Sequence, residues 1–173
     1  AYVFGWRLYD ESVRRGLYQT QRVVVIGDGA EWVKNIAQTH FGHAQFIIDY
    51  YHAAEHIGDL CRVLFDRNER QIQWYREKWT DWLWEGAIEM IVKDACSLLP
   101  RDTRIRKEAQ TQINYFEKNK EHMRYAQYRA QKMFIGSGVV EAACKNVVGA
   151  RMKQTAMRWT VNGANDILAL RSV

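Results

Sequence analysis

The sequence predicts a mostly α-helical chain that contains a small parallel β-α-β unit. Two short apolar runs, residues 22–27 and 44–49, are typical of strands, and helical spacing fills the interval between them. Residues 51–132 show only helical patterns, rich in charge and tryptophan. Two strands joined by one helix are expected to lie parallel, with a right-handed crossover.

The first predicted element is an amphipathic helix over residues 2–19. Its apolar positions recur at helical spacing with charged residues between them, which favours one buried stripe. These positions are Phe4, Leu8, Val13 and Leu17. The run at 22–27 is β-branched and continuous, so we expect a strand covered on both faces. Residues 30–39 return to helical spacing through Trp32, Val33 and Ile36.

The long helical part has one clear interruption. Pro100, the single proline, and Asp102 mark a break between two long helices. Residues 133–138 interrupt the pattern again, and further helices are predicted over 139–153 and from about 160 onward.

Four tryptophans cluster in the first of these long helices. They are Trp74, Trp79, Trp82 and Trp84. Such residues could form a stacking platform for nucleic acid. Large aromatic residues at helical spacing more often belong to the core, and burial is our expectation.

Composition limits the class of protein. The 173 residues suffice for one domain, with no apolar run long enough to span a membrane and no signal-peptide layout. Three widely spaced cysteines suit a reducing cytosol better than a disulfide framework. The net charge of +5 permits a polyanionic partner. The chain starts at Ala1 and stops within a helical pattern, so we expect a piece of a longer polypeptide.

Asp28 is the first candidate for chemistry. It follows the apolar run 22–27 directly and stands between Gly27 and Gly29. Open α/β sheets place ligands and catalytic groups at the carboxyl ends of their strands. An aspartate that caps the helix beginning near Ala30 would give the same local pattern. Both interpretations stay open on this pattern alone.

A second group of candidates follows the second predicted strand. Asp49 ends that strand, His52 comes three residues later, and His56 lies one helical turn beyond His52. Asp49 and His52 could form a structural pair, or these residues with Cys61 could bind zinc in a different metal-dependent hydrolase. No second pair of cysteines or histidines completes a tetrahedral zinc site.

Glu141 is the third candidate. It lies in the first turn of the helix introduced by Gly136, Ser137 and Gly138, where the helix dipole favours a carboxylate in any case. Carboxylates from a strand end and an early helix turn could share divalent metal ions. Mg²⁺ prefers oxygen ligands, and a metal pair can activate a hydroxyl nucleophile for phosphoryl transfer.

Two blocks of sequence carry a family resemblance. They are "VVVIGDGAEWVKNIAQTHFGHAQFIIDYYHAAEHI" and "GSGVVEAACKNVVGARMKQTAMRW". In wording and order they resemble the DDE transposases of bacterial insertion sequences, specifically the Kra-type family, which is similar to the wider Mutator-like group. The resemblance covers nearly the whole chain and implies an α/β fold of the RNase H-like type.

The resemblance also implies roles for the acidic residues. Asp28 matches the second catalytic acid and Glu141 the third, both as ligands of Mg²⁺ or Mn²⁺. Asp49 with His52 matches a C/D-x-x-H signature between these acids, although Asp49 is a rival for the second acid. Residues 53–133 match a helical insertion within one partial catalytic domain, residues 1–173.

The family's first catalytic aspartate has no counterpart here. No sequence before Val23 is typical of a strand that carries an acid, and Asp10 falls on the first predicted helix. The metal pair would therefore lack a ligand. We expect little or no strand transfer by these residues alone.

The resemblance implies a full-length enzyme that cuts double-stranded DNA at element ends and joins them to target DNA in the bacterial cytoplasm, at the nucleoid. It leaves a homodimer or a higher assembly on DNA open. The basic residues after Glu141 fit phosphate contacts, although a solvated helix face would look similar. They include Lys145, Arg151, Lys153 and Arg158. A nonenzymatic DNA-binding remnant is the other function that the sequence leaves open.

Overall fold

In the computed structural model of the chain, the described residues are 2–138, 142 and 158–163. The chain divides into two compact units, Ala1–Gly136 and Ser137–Val173. In the second unit, residues 161–163 are helical, and the hydroxyl of Thr160 accepts a hydrogen bond from the Gly163 N–H at 3.1 Å. The predicted helix over 139–153 lies outside the described residues, apart from residue 142, which is helical.

The first unit is mostly helical, with one two-stranded parallel sheet among its described residues, and this confirms the coarse prediction. The elements in chain order are α1 (Tyr2–Arg14), β1 (Val24–Gly27), α2 (Glu31–His40), β2 (Gln45–Ile48), α3 (Tyr50–Phe65), α4 (Glu69–Trp84), α5 (Ile88–Ser97), α6 (Thr103–Asn119) and α7 (Tyr125–Ala130). Short 3₁₀ turns occupy Leu17–Gln19 and Lys120–His122.

The register of the sheet brings the ends of its two strands together. Val24 pairs with Gln45 at one end and Gly27 with Ile48 at the other. One step further, the Asp49 N–H donates to the Gly27 carbonyl at 2.8 Å. Residues 28 and 49 therefore leave the sheet side by side at its carboxyl edge.

Two clusters of apolar side chains lie against the sheet. The larger, which we call the helical core, joins β2 to helices α3–α7, and its largest fully buried side chains are Trp79, Tyr125 and Phe116. The smaller, which we call the N-terminal cluster, is built on Leu17, Ile36 and Phe41.

The alternation of side chains in and just before β1 matches these two clusters. Val24 packs on the helical core, whereas Val23 and Val25 pack on the N-terminal cluster, as the period of two in a strand requires. All four residues of β1 remain partly exposed. The prediction of a strand with contacts on both faces is thus right, but its burial is incomplete.

The predicted buried stripe of α1 is wrong in part. The helix ends at Arg14, and Gly16 adopts a left-handed conformation with φ of 91°, which no helix can continue through. Leu17 is buried beyond this turn, but Phe4 and Leu8 are exposed. The one buried residue of α1 is Gly5, against the His40 ring.

The long helices are more numerous and shorter than the sequence predicts. The break at Pro100 is confirmed, and the Asp102 carboxylate caps α6 by accepting the N–H groups of Arg104 and Ile105. The helical pattern over residues 71–92 is divided by Gly86, whose φ is 72°. A Cβ atom at Gly86 would lie 3.2 Å from the backbone of Arg124, so this turn has room only for glycine.

The four tryptophans of α4 divide evenly between burial and exposure. Trp79 is fully buried and its indole N–H donates to Asp94 at 2.8 Å, while Trp82 packs against the helical core. Trp74 and Trp84 are 56% and 40% exposed. The expectation of burial is confirmed for Trp79, holds in part for Trp82, and is wrong for Trp74 and Trp84.

Within the described residues, each helix is too short or too polar to cross a lipid bilayer.

Candidate functional site

Asp28 lies at the carboxyl end of β1 with an exposed side chain. Its Oδ1 accepts the N–H of Ala30 at 2.9 Å, which closes a local turn. The N-cap position of α2 is occupied by Ala30, and no side chain caps it. The cap interpretation of Asp28 is therefore wrong: its carboxylate shapes the turn before the helix, and no described side chain donates to its second oxygen.

Asp49 occupies the equivalent position after β2 but serves a different local role. It is the N-cap of α3, and its Oδ1 accepts the N–H groups of Tyr51 at 2.8 Å and His52 at 3.3 Å. Its residue is only 6% exposed. The aspartate of the D-x-x-H pattern thus has a structural explanation, because an N-cap aspartate bonds the backbone two and three positions later. These bonds do not explain the histidine, since they go to backbone N–H groups. The pair predicted between Asp49 and His52 exists through the His52 backbone.

Helix α6 closes one side of this edge. The Tyr115 hydroxyl donates to the Asp28 carbonyl at 3.2 Å. Burial, with the negative charges of Asp28 and Asp49 as smaller causes, raises the pKa of Tyr115 above its ordinary value. The phenol therefore stays protonated and available as a donor beside the two carboxylates.

Gly29 makes this close approach geometrically feasible. Its φ is 89°, and a Cβ atom there would come within 2.9 Å of the Ile48 side chain and 3.5 Å of Asn119. A side chain at this position would strain the backbone because of the positive φ, and the tip of the Ile48 side chain would have to move, whereas the distances to α6 are ordinary van der Waals contacts. The second glycine of "GDG" is therefore required mainly by the conformation of the turn.

Helix α2, which follows the β1 end of this edge, contributes a lysine. Lys34 Nζ donates to Asn119 Oδ1 at 2.6 Å. Burial, and secondarily the positive charge of Lys118, lowers the pKa of Lys34. The contact connects the first turn of α2 to the end of α6. Helix α6 therefore contacts both Asp28, through Tyr115, and the helix that follows Asp28.

His52 and His56 line α3 next to Tyr115. The His56 ring stacks on the Tyr115 ring, with centroids 3.8 Å apart, and its Nδ1 lies 2.7 Å from Gln112 Oε1. The His52 ring meets the His56 ring edge-on, and its Nδ1 is 3.6 Å from Glu55. The histidines form an aromatic wall rather than a pair aimed at one metal ion.

The zinc alternative loses its ligand set in this arrangement. Asp49, His52, His56 and Cys61 all belong to the described residues, among which no three His, Cys, Asp or Glu side chains converge as a metal site. Cys61 is fully buried, and burial raises the pKa of its thiol to about 12, far from the thiolate that zinc requires.

The remaining predicted site residues fall in the second unit. Glu141, Lys145, Arg151 and Lys153 lie outside the described residues, whereas Arg158 is described and exposed. The structure thus brings Asp28 and Asp49 to one edge and leaves the third acid outside its description. Asp10 lies on α1, and no strand precedes β1 in the described part of the chain.

Sequence reasoning missed the contribution of α6. Tyr115, Asn119 and Gln112 reach the strand ends or α3 from a helix that starts more than fifty residues later in the chain. Their spacing, at i, i+3 and i+7, places them on one helix face. Nothing in that spacing indicates which distant residues the face contacts.

Comparison with known proteins gives no relative: the chain matches no protein-family model, no curated protein and no solved structure.

The chemistry of the edge fits a hard divalent cation in part. Mg²⁺ binds through one or two carboxylates and keeps several waters, which an exposed carboxylate such as Asp28 can satisfy. Asp49 is less suitable, because its Oδ1 already accepts two backbone N–H groups. The described residues supply one accessible carboxylate, so a complete site would need ligands from beyond them.

Proposed function

We propose that this chain is part of a DDE-type DNA transposase in which Asp28 is a ligand of a catalytic divalent cation. The two sequence blocks that resemble the Kra-type family are the main support. The observation that carries the proposal is the position of Asp28, an exposed carboxylate at the carboxyl end of a partly buried parallel strand, beside a second aspartate.

The two aspartates then have separate tasks. Asp49 fixes the start of α3 and adds negative charge to the edge, while Asp28 presents its carboxylate to solvent and binds the ion. By the family resemblance, a complete acidic set would also need Glu141 and a first aspartate that has no counterpart among these 173 residues. Bound Mg²⁺ or Mn²⁺ supplies activation of a hydroxyl nucleophile and charge neutralisation at the phosphate. The protein's own contribution is to position Asp28 through the turn at Gly29 and the hydrogen bond from the Tyr115 hydroxyl to the Asp28 carbonyl.

Localised oxidative cleavage tests the metal site directly. Fe²⁺ substituted for Mg²⁺, with ascorbate and peroxide, cuts a polypeptide next to the bound ion. We expect cuts near residues 28 and 49 that excess Mg²⁺ suppresses and that Asp28→Asn abolishes. Asp10→Asn, which removes an exposed aspartate from α1, is the matched control and should leave the cuts unchanged. Cuts that survive in Asp28→Asn would contradict the proposal.

A nonenzymatic DNA-binding function is the second candidate, favoured because Asp28 is the single accessible carboxylate that the described residues place at the carboxyl edge of the sheet. It requires duplex DNA binding that needs no metal and is the same in Asp28→Asn and Glu141→Gln as in the unchanged chain. The transposase proposal requires instead that Mg²⁺ or Mn²⁺ strengthen DNA binding and that Asp28→Asn remove this dependence. An electrophoretic shift assay with and without EDTA separates the two.

A further inference from the structure

An exposed aromatic surface borders the carboxylate edge. It consists of Tyr51, Trp84 and Phe134, which are 57%, 40% and 72% exposed, and we call it the aromatic platform. Isolated exposed apolar residues are ordinary on protein surfaces. These three are unusual because the contacts below tie them to one another and to Asp49.

Tyr50 joins the first two members. Its ring lies edge-on to Tyr51 at 5.6 Å and to Trp84 at 5.3 Å, and edge-on to the buried Tyr125 at 5.3 Å. Tyr50 follows Asp49 directly. Both exposed rings therefore contact Tyr50, which is the residue next to Asp49 and packs on the helical core.

The segment that carries Phe134 runs next to Tyr50, Tyr51 and Asp49. The Ile135 carbonyl accepts the Tyr50 N–H at 2.9 Å, and Met133 and Ile135 pack on the helical core on either side of Phe134. A Cβ atom on Gly136 would lie 2.9 Å from the Tyr51 ring and 3.7 Å from Asp49 Oδ1. Phe134 is thus held outward on a strap that runs beside Asp49.

Positive charge accompanies the platform. The Arg129 guanidinium lies over the Trp84 ring at 3.8 Å, and the Arg22 guanidinium donates to the Gln131 carbonyl at 2.7 Å. Lys132 follows directly and is exposed. Among the described residues neither Arg22 nor Lys132 forms an ion pair with a carboxylate, whereas Arg129 has Glu85 at 3.6 Å.

We propose that the aromatic platform binds unpaired bases of a DNA strand, with Arg22 and Lys132 contacting its phosphates. Rings that are exposed on a rigid support, next to unpaired cations, have the composition of single-strand binding surfaces. A purely apolar protein partner would leave the two cations without an anionic partner, and duplex DNA would keep its bases stacked away from the rings. The proposal deepens the proposed function, on which it rests, by naming single-stranded ends as the substrate form held beside Asp28.

The test compares four DNA probes with the 173-residue chain in EDTA and in Mg²⁺, by fluorescence anisotropy. The probes are a labelled dT12 strand, an abasic strand of equal length, a 12-base-pair duplex, and the same duplex with a frayed single-stranded end. We expect dT12 and the frayed duplex to bind more tightly than the abasic strand and the blunt duplex. The abasic strand keeps the phosphates, so this difference isolates base stacking from the contribution of basic residues.

Substitutions assign the binding to the platform. Phe134→Ala and Trp84→Ala should each weaken dT12 binding roughly 5- to 100-fold, the usual range for loss of one base-stacking aromatic, and leave abasic binding unchanged. Trp74→Ala is the matched control, because Trp74 is an exposed tryptophan on the same helix, about 15 Å further along it by the rise per residue. Phe134→Ala removes the most exposed of the three rings, so it carries the test if Trp84→Ala fails to fold by circular dichroism.

Three results would overturn the inference: equal affinity for dT12 and the abasic strand, equal loss of affinity in Trp74→Ala, or self-association in sedimentation that Phe134→Ala removes while dT12 affinity stays unchanged. The proposed function fails separately. If dT12 binds through the platform but Asp28→Asn changes neither metal cleavage nor metal-dependent DNA binding, the platform stands and the metal site does not. If Asp28→Asn changes metal cleavage or metal-dependent DNA binding but the four probes bind with equal affinity, the proposed function stands and only the inference about the platform fails.

Discussion

The helical core and the N-terminal cluster surround the same strands but differ greatly in size. The helical core fully buries side chains from β2 and from α3 through α7. The N-terminal cluster has only Leu17, Ile36 and Phe41 as buried residues, each still 5% to 8% exposed. Helix α1, which covers that side, leaves Phe4 and Leu8 exposed.

Because of this difference, the surroundings of the two aspartates differ in burial. Asp49 follows the fully buried Ile47 and Ile48 and is itself buried. Asp28 follows a strand whose residues all stay partly exposed, and it is held by contacts from α6. Asp49, which caps α3, thus lies in the well-buried part, and Asp28, the proposed metal ligand, lies where solvent can reach it.

The largest expected effect compares one residue type in the two regions. Phe116 in α6 is 0% exposed and Phe4 in α1 is 53% exposed. Phe116→Ala should lower the free energy of unfolding by about 3–5 kcal/mol through lost burial and a residual cavity. Phe4→Ala should lower it by less than about 1 kcal/mol. Urea unfolding followed by circular dichroism measures both, and comparable losses would remove the distinction between the clusters.

The second prediction compares the hydroxyls that tie the strand ends to the helices. Tyr125 donates to the Ile48 carbonyl at 3.0 Å in a buried setting, and Tyr115 donates to the Asp28 carbonyl at 3.2 Å in an exposed one. Tyr125→Phe should cost about 1–3 kcal/mol because it leaves a buried carbonyl without its donor. Tyr115→Phe should cost less, since water can replace the lost donor. A larger cost for Tyr115→Phe in the same unfolding assay would show that β1, not β2, is the better anchored strand.

Sequence patterns predicted the local features of this chain well. The strands, their parallel pairing and the break at Pro100 follow from signals within a few residues, such as β-branched runs and proline. The turn at Gly86 and the exposure of Phe4 do not, because they depend on Arg124 and on the small size of the N-terminal cluster. At the site, "GDG" indicated a sharp turn with an exposed acid, but excluding the cap interpretation needed the position of Ala30 as the N-cap. The contacts of Tyr115 with Asp28 join residues 87 positions apart, and no local pattern specifies them.

The third prediction separates the two acids by stability. Asp49→Ala removes an N-cap that accepts two backbone N–H groups, so it should lower the free energy of unfolding by about 1–2 kcal/mol. Asp28→Ala removes one exposed hydrogen bond to Ala30 and should cost about 0.5 kcal/mol or less. Thermal unfolding without added metal measures the pair. If Asp28→Ala were the more destabilising change, Asp28 would be a structural residue and its assignment as a metal ligand would weaken.

The smallest expected effect concerns how much an ion pair in each of the two regions contributes to stability as the pH falls. Hydrogen bonds from Arg124 lower the pKa of Glu89 to about 2, and the pair joins α5 to the segment before α7. Hydrogen bonding to Arg15 lowers the pKa of Glu11 within the single helix α1. A carboxyl whose pKa is lower in the folded chain adds stability above its unfolded pKa of about 4.3 and loses it as the pH falls toward the folded value.

The contribution of the Glu89 pair should therefore be complete at pH 6 and disappear between about pH 5 and pH 2. Because the Glu89 side chain is half exposed, solvent screening limits this contribution to about 1 kcal/mol. Glu89→Gln should remove that part of the acid dependence of unfolding, while Glu11→Gln, whose partner lies on the same helix, should change it less. The measurement is the urea midpoint of each variant at pH 6, 4 and 3. Equal flattening of the pH dependence by both substitutions would mean that an ion pair between distant elements stabilises this fold no more than one within a surface helix.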